Sequence, residues 1–440
     1  MLLYEVDYYI CLILVLVALF LLKSRFAQIT ILVGTSYFLY ILSNNYLILS
    51  LAFVTLLTYY CARYINYNKK LLLILALTGA LGQLAIFRYT GFLSSLGFSF
   101  STLGVSYYTL MALGYTIDVY RGKLQPTESL IEYALFVSFF PVITSGPIIR
   151  AGDFLAQIRD RLKFTPENFQ QGLTLIIMGL IMKLVIADNL ASYVDLIFVD
   201  PMKYQSRDII LATLAFGVQL YCDFGGYSNI ALGTARMLGF TFPMNFNNPY
   251  FAMNPQDFWH RWNISLSCWL GDYLYIPLGG NRKGTIQTYL NLIVTMIACG
   301  LWHGATWNFL LWGGYHGGLL SLHRLIRLPE NRILSLAGIL ITQYLIFLGW
   351  LIFKVNNINN LKWCLRKFLI PTGFTSVDLA VGCTIIAVLL LLRTKIADNN
   401  WISRIGSSRP IYWFFYILIT INLIYWASPV KVTKFIYAGF

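Results

Sequence analysis

The chain contains the stretch Tyr289-Leu-Asn-Leu-Ile-Val-Thr-Met-Ile-Ala-Cys299, which runs directly into Gly-Leu-Trp-His303-Gly-Ala-Thr-Trp307. The first segment is mostly apolar and predicts a membrane-spanning helix. An ionisable residue at such depth is costly and usually faces a bundle interior or a water-filled cavity, so His303 is a candidate functional residue. Histidine also suits proton transfer near neutral pH, and the chain has only four histidines.

The same apolar character extends over the whole chain. Of its 440 residues, 58% are hydrophobic and 11% are charged, whereas soluble domains carry about 25% charged residues. The first apolar run, 8–22, has no basic segment before it. It is followed by Lys23 and Arg25 rather than by a small-residue cleavage site, so we expect a retained helix and not a signal peptide.

The net charge of +14 does not indicate nucleic acid as a partner. The basic residues are scattered at the ends of apolar runs, which is typical of helix anchors and cytoplasmic loops, whereas nucleic-acid binding needs a clustered patch. The seven cysteines lie mostly within apolar runs and form no C-x-x-C pair. We therefore expect buried thiols rather than disulfides or metal ligands.

The pattern of apolar runs predicts an all-α, polytopic integral membrane protein. Because a spanning helix needs about 20 apolar residues, some shorter runs would re-enter the membrane, and we expect about 11–13 transmembrane or re-entrant helices. We predict a single membrane-embedded domain over 1–440, with N-terminal spans in 1–100, a central body in 100–325 and C-terminal spans in 326–440. The runs lie at 8–22, 27–42, 46–62, 71–87, 100–117, 130–146, 172–187, 208–222, 227–240, 288–304, 307–322, 334–353, 379–393 and 411–427.

One long stretch, 222–284, is rich in glycine, asparagine, proline and tryptophan. Asn254 followed by Pro255 is typical of a helix start, with Asn254 as N-cap. The spacing predicts a short helix over 255–270, too polar to span the membrane. Within such a helix Trp259, His260 and Asn263 would share one side.

Three motifs in this part of the chain match a known pattern. They are Phe258-Trp-His-Arg-Trp-Asn-Ile-Ser-Leu-Ser-Cys-Trp269, Asp272-Tyr-Leu-Tyr-Ile-Pro-Leu-Gly-Gly-Asn-Arg282 and Gly300-Leu-Trp-His-Gly-Ala-Thr-Trp307. With shorter matches at 107–122, 145–150 and 223–228, they resemble the membrane-bound O-acyltransferase (MBOAT) family. The resemblance is greatest to its bacterial alginate and peptidoglycan O-acetylation proteins, and more distant to the D-alanyl transfer protein of teichoic acid synthesis.

The resemblance implies helices that surround a tunnel, and transfer of an acyl group from a thioester to a hydroxyl. It also implies that the tryptophan-flanked histidine, here His303, is essential. The chemistry of the residue agrees, because a neutral imidazole can accept the proton that a hydroxyl loses as it attacks a carbonyl. Such general base catalysis contributes about 10² to 10⁴ in rate, and burial favours the neutral form that a base requires.

Two positions depart from the bacterial branch of the family. Asn263 stands where that branch has a second histidine, and Gly271 stands where it has an arginine. An amide cannot act as a base, but it can donate to a developing oxyanion or orient a hydroxyl, so we predict a polarising role for Asn263. Hydrogen bonding between helices is the alternative for this residue. His260 is a candidate for the displaced second histidine.

Further residues are predicted to line the substrate passage, some of them with a structural alternative. His316 lies in a glycine-rich stretch and could serve packing instead. Asp223 could form an ion pair with Arg121, Arg150 or Arg236. We expect no metal site and no tightly bound cofactor. The other lining candidates are Trp302, Trp259, Asp272, Tyr227 and Arg150.

The sequence thus predicts a multi-pass enzyme of the cytoplasmic (inner) membrane, surrounded by lipid. It would move acetyl from cytoplasmic acetyl-CoA to a hydroxyl of an exported polysaccharide or peptidoglycan, and the resemblance implies an extracytoplasmic serine esterase-like partner. D-alanyl transfer from a carrier protein to teichoic acid is the alternative within the family. A non-catalytic glycan transporter or assembly scaffold is the alternative of another class, although a transporter would be expected to show paired broken helices in its two halves.

Overall fold

The computed structural model describes residues 3–43, 47–88, 104–159, 164–326 and 332–373, together with Leu162 and a few positions between 417 and 425. Within these residues the regular secondary structure is entirely helical, which confirms the predicted all-α class. The helices are α1 (Val6–Leu21), α2 (Arg25–Ser43), α3 (Leu47–Arg63), α4 (Lys69–Arg88), α5 (Val105–Tyr120), α6 (Leu130–Ser138), α7 (Ala151–Gln157), α8 (Pro166–Leu180), α9 (Asp188–Val199), α10 (Ser206–Met237), α11 (Pro255–Arg261), α12 (Ile264–Leu270), α13 (Thr285–His303), α14 (Trp307–Leu325), α15 (Arg332–Lys354) and α16 (Ile358–Leu369).

Six helical segments in the described part of the chain are long and apolar enough to cross a membrane. Two further apolar helices, α1 and α3, are shorter. This composition and length identify a multi-pass membrane protein. The six segments are Arg25–Leu42, Lys69–Phe87, Pro166–Val199, Ser206–Met237, Thr285–His303 and Ala337–Lys354.

Some apolar runs form elements other than those the sequence predicts. The runs 208–222 and 227–240 join into the single 32-residue helix α10, so the break expected between them is wrong. The run 130–146 forms only the nine-residue helix α6 followed by turns, and this helix is too short to span a membrane. The run 379–393, and 411–427 apart from a few positions, lie outside the described residues.

The Cα positions cluster into two compact units. The first comprises the described residues of Met1–Leu180 and Gly226–Met244. Hydrogen bonds between its helices include one between the hydroxyls of Ser50 and Tyr108, at 2.7 Å. Glycines also allow a close approach here, because a Cβ added at Gly172 would lie 2.6 Å from the carbonyl oxygen of Gly233.

The second unit comprises the described residues of Ile181–Gly225 and those from Asn245 onward. Its central feature is the antiparallel pair α13 and α14, which pack against each other along their length. Two glycines of α14 lie directly on α13: an added Cβ would come 2.7 Å from Ile297 Cα at Gly313 and 2.6 Å from Ile293 Cα at Gly317. Small residues at this spacing let two helices approach closely. The helices α11 and α15 also pack on α14.

Candidate active site

His303 is the last residue of α13, and α14 begins four positions later at Trp307. Its side chain is 3% exposed. Aromatic rings surround it, with centroid distances of 4.9 Å to Trp302, 5.2 Å to Phe353 and 5.3 Å to Trp312. The intervening turn, 304–306, is partly or fully exposed. The imidazole therefore lies just beneath the surface at one end of the helix pair.

A second histidine, His316, packs against the same tryptophan. Its ring is 0% exposed and lies 4.8 Å from the Trp312 ring and 5.2 Å from the Trp259 ring. Had one helix run through both histidines, the two side chains would have pointed about 140° apart. Because α13 ends at His303 and α14 turns back along it, both histidines instead contact Trp312. The structure thus brings four predicted site residues into one aromatic cluster: Trp259, Trp302, His303 and His316.

Trp259 is placed in this cluster by the short helix α11. The predicted helix start is confirmed: Asn254 is the N-cap, its Oδ1 accepts from the backbone N–H of Asp257 at 2.8 Å, and Pro255 occupies the first turn. Within the helix, Asp257 and Arg261 form an ion pair at 2.7 Å. Trp259 faces inward and its ring lies 5.7 Å from that of Trp312.

The helix does not continue to 270 as the spacing predicts. It ends at Arg261, because the backbone carbonyl of Arg261 accepts from the N–H of Asn247 at 2.9 Å. The N–H of Ile264 then donates to the carbonyl of Asn245, also at 2.9 Å. The segment 245–247 therefore takes hydrogen bonds that a continuous helix would make within itself. A new helix, α12, begins at Ile264.

Asn263 lies at this break, in the left-handed conformation with φ 42° and ψ 56°. Its side chain is buried, and its Oδ1 accepts from Nδ2 of Asn245 at 3.3 Å. The expectation that Trp259, His260 and Asn263 share one helical side is wrong, since the helix ends before Asn263. The polarising role of Asn263 stays a prediction.

The other predicted site residues are distributed over both units. In the second unit, His260 is exposed on α11 and Asp272 is half-buried in the π-helical turn Gly271–Tyr275. In the first unit, Arg150 is half-buried before α7, and the buried Tyr227 hydroxyl accepts from the N–H of Leu3 at 3.3 Å. Their predicted roles in lining a substrate passage stay predictions.

Sequence reasoning missed Lys183, which lies in the π-helical segment Ile181–Ala187. Its side chain is 0% exposed, and its Nζ lies 2.8 Å from Asp188 Oδ1 and 2.8 Å from Asp223 Oδ1. Asp223 is thus in an ion pair with Lys183, a cation that sequence reasoning did not consider. A lone lysine within an apolar run, followed by Asp188, was the available signal.

No group of histidine, cysteine and carboxylate side chains in the described part of the chain could hold a metal ion. The polar groups of the aromatic cluster are imidazole and indole nitrogens. These groups can move a proton and donate hydrogen bonds.

Comparison with known proteins gives a family for this arrangement. The model of the MBOAT, membrane-bound O-acyltransferase family, matches residues 38–359, which include the whole aromatic cluster. The predicted resemblance is confirmed.

Individual relatives extend this similarity. The probable alginate O-acetylase of Pseudomonas aeruginosa is 40% identical over 299 residues, which cover 66% of this chain and 57% of that protein. The peptidoglycan O-acetyltransferase of Helicobacter pylori is 32% identical over 398 residues, covering 81% and 74% of the two chains. The teichoic acid D-alanyltransferase of Streptococcus thermophilus is 31% identical over 291 residues, covering 57% and 68%. The chain thus spans little more than half the length of the alginate O-acetylase that it matches.

Proposed function

The chain belongs to the membrane-bound O-acyltransferase family, and we therefore propose that it transfers an acyl group from a thioester to a hydroxyl. The observation that carries the proposal is the position of His303. It is an imidazole at the end of an apolar helix, enclosed by aromatic rings and lying beneath an exposed turn. His303 is assigned as the general base.

The proposed reaction has one proton acceptor and one leaving group. The acceptor hydroxyl gives its proton to a ring nitrogen of His303 as its oxygen forms a bond to the thioester carbonyl carbon. The carbon–sulfur bond then breaks, and the thiolate leaves with the proton that the imidazolium returns. A base positioned in this way contributes about 10² to 10⁴ in rate.

The burial of His303 supports one direction of approach for the substrates. At 3% exposure the ring is almost closed to solvent, so side chains around it must move when a substrate binds. The exposed residues Ala305, Thr306 and Trp307 lie directly after it. We propose the entrance at this turn, since it is the exposed segment that follows His303 in the chain. The tunnel implied by the family resemblance stays a prediction.

Acetyl is the acyl group that the similarities favour. The alginate and peptidoglycan relatives are named for O-acetylation, and the alginate relative has the higher identity, at 40% against 31% for the D-alanyltransferase. We propose acetyl-CoA on the cytoplasmic side as the donor and an exported polysaccharide or peptidoglycan as the final acceptor. An extracytoplasmic serine esterase-like partner would complete the transfer. The chain would act in the cytoplasmic membrane.

The test is transfer of label from [1-¹⁴C]acetyl-CoA into the glycan fraction of membranes that contain the full-length protein. Wild-type membranes should incorporate label, and His303→Ala should abolish incorporation at equal protein level. The matched control is His323→Ala, since His323 is half-buried near the far end of α14. It should transfer at the wild-type rate.

The remaining alternatives predict other results. If the glycan is labelled from a D-alanyl carrier thioester and not from acetyl-CoA, the transferred acyl group is D-alanyl rather than acetyl. Equal glycan modification by wild type and His303→Ala would overturn the catalytic assignment and favour a transporter or scaffold.

A further inference from the structure

Four buried polar atoms cluster beside the proposed base. Both ring nitrogens of His316 and the Nε1 atoms of Trp259 and Trp312 have no hydrogen-bond partner among the described residues. Their ring centroids lie 4.8–5.7 Å from one another. Buried polar groups are paired in about 90% or more of cases, so four such atoms in one place require an explanation.

The neighbouring helix approaches His316 closely at a glycine. A Cβ added at Gly349 of α15 would come 2.6 Å from His316 Nε2 and 3.1 Å from its Cε1. Any larger residue would therefore crowd the edge of the ring at which one of the unpaired nitrogens lies. The other walls are the faces and edges of the Trp259 and Trp312 indoles.

The donors and acceptors of the cluster determine which ligand it would accept. Two indole N–H groups and one N–H of a neutral imidazole are donors, and the other imidazole nitrogen is an acceptor. The walls are aromatic and the donors carry no formal charge. A small, uncharged group with a carbonyl oxygen and an apolar end fits this set, whereas a phosphate would be expected to meet arginine or lysine.

We propose that Trp259, Trp312 and His316 bind the acyl group of the donor through its thioester carbonyl oxygen. This inference rests on the proposed function and names the acyl subsite of the same centre. The Trp312 ring contacts both His316, at 4.8 Å, and His303, at 5.3 Å. Trp312 therefore borders both the acyl subsite and the base, and the attacking oxygen must approach within about 3–3.5 Å of the carbonyl carbon.

The same N–H groups act when the new bond forms. As the acceptor oxygen attacks, the carbonyl π electrons move onto the carbonyl oxygen. The negative charge there is stabilised by donors already in place. Collapse of the intermediate returns the electrons and expels the thiolate. Removing one such donor lowers kcat by about 10² to 10³ in enzymes that use them.

The binding test uses acetyl-CoA labelled with ¹³C at the carbonyl and the full-length His303→Ala protein, in which transfer is blocked. Isotope-edited infrared difference spectra report the carbonyl stretch of the bound donor. Hydrogen bonds should move this band to lower wavenumber than in free acetyl-CoA. Adding Trp312→Phe or His316→Phe should move it back, and adding His316→Gln, which keeps a donor, should retain part of the shift.

Trp363→Phe is the matched control, since it removes the same kind of N–H group at a tryptophan whose ring lies against Lys367 of α16, at 4.8 Å. It should leave the band where it is. A shifted band that is identical in Trp312→Phe, His316→Phe and Trp363→Phe would overturn the acyl subsite and leave the cluster with a packing role only. If acetyl-CoA does not bind, or His303→Ala still transfers, the proposed function itself fails.

Discussion

The amide of Asn245 donates a hydrogen bond to the amide oxygen of Asn263 at 3.3 Å, at the point where α11 ends. Asn245 also accepts from the backbone N–H groups of Ile264 and Ser265, at 2.9 and 3.0 Å. One asparagine thus holds the whole turn between α11 and α12. The backbone of Asn263 forms this turn, whether or not its side chain also polarises a substrate.

The left-handed backbone at Asn263 predicts how substitutions there will behave. Glycine adopts φ 42° without strain, whereas alanine in this conformation costs about 1–2 kcal/mol. Both variants lose the hydrogen bond from Asn245, so we expect Asn263→Ala to unfold in detergent at a lower temperature than Asn263→Gly. Equal thermal stability of the two variants would contradict the backbone role.

The Asn263→Gly variant also tests the role of the amide. Because it suits the left-handed turn and lacks the side chain, its rate of acetyl transfer, measured at a temperature where it is folded, reports what the amide contributes. We expect a loss of transfer in the folded variant if Asn263 polarises a substrate. A wild-type rate would limit this residue to the turn.

The start of α11 could be predicted and its end could not, for a physical reason. An N-cap asparagine followed by proline acts within a few residues, and Asn254 fulfils that role. The end at Arg261 depends on a hydrogen bond that Asn247 donates to Arg261 and one that Asn245 accepts from Ile264, and both asparagines lie on another segment. The periodicity of a sequence reflects only the residues of the helix itself.

The buried ion cluster around Lys183 predicts a large loss of stability. Lys183→Met would leave Asp188 and Asp223 buried without this cation, and breaking a buried pair costs about 3–5 kcal/mol. We expect the variant to unfold at a clearly lower temperature, or to accumulate at a lower level in membranes, by thermal denaturation and immunoblot.

Lys203→Met is the control for Lys183→Met. Lys203 pairs with Asp200 at 2.9 Å, but its side chain is 75% exposed. Exposed ion pairs contribute little, so no measurable change is expected. If Lys183→Met and Lys203→Met denature at the same temperature, the ion cluster around Lys183 does not stabilise the fold.

The glycines of α14 predict a second matched pair. A Cβ at Gly317 would come 2.6 Å from the backbone of Ile293, whereas nothing lies within 4 Å of a Cβ at Gly318. Gly317→Ala should push α14 away from α13, lowering both thermal stability and acetyl transfer, because α13 carries His303. Gly318→Ala should be as stable as wild type or more so, since alanine favours helix by about 1 kcal/mol. The opposite order of melting temperatures would contradict close helix packing at Gly317.

The contact of both His303 and His316 with Trp312 could not be predicted from the sequence either. The sequence predicts each histidine in an apolar run, but their contact with one tryptophan depends on where the first helix ends. It depends as well on how closely Gly313 and Gly317 let the second helix return. Lys183 is different, because a lone lysine in an apolar run could have been noticed without any structure.

The central claim is that the imidazole of His303 takes the proton of the acceptor hydroxyl. The most direct test is chemical rescue of the full-length His303→Gly protein in membranes. The rate of label transfer from [1-¹⁴C]acetyl-CoA should fall by about 10² to 10⁴ and recover in part when free imidazole is added, but not when an equal concentration of imidazolium at low pH is added. A His303→Gly protein that transfers acetyl at the wild-type rate without imidazole would contradict the account.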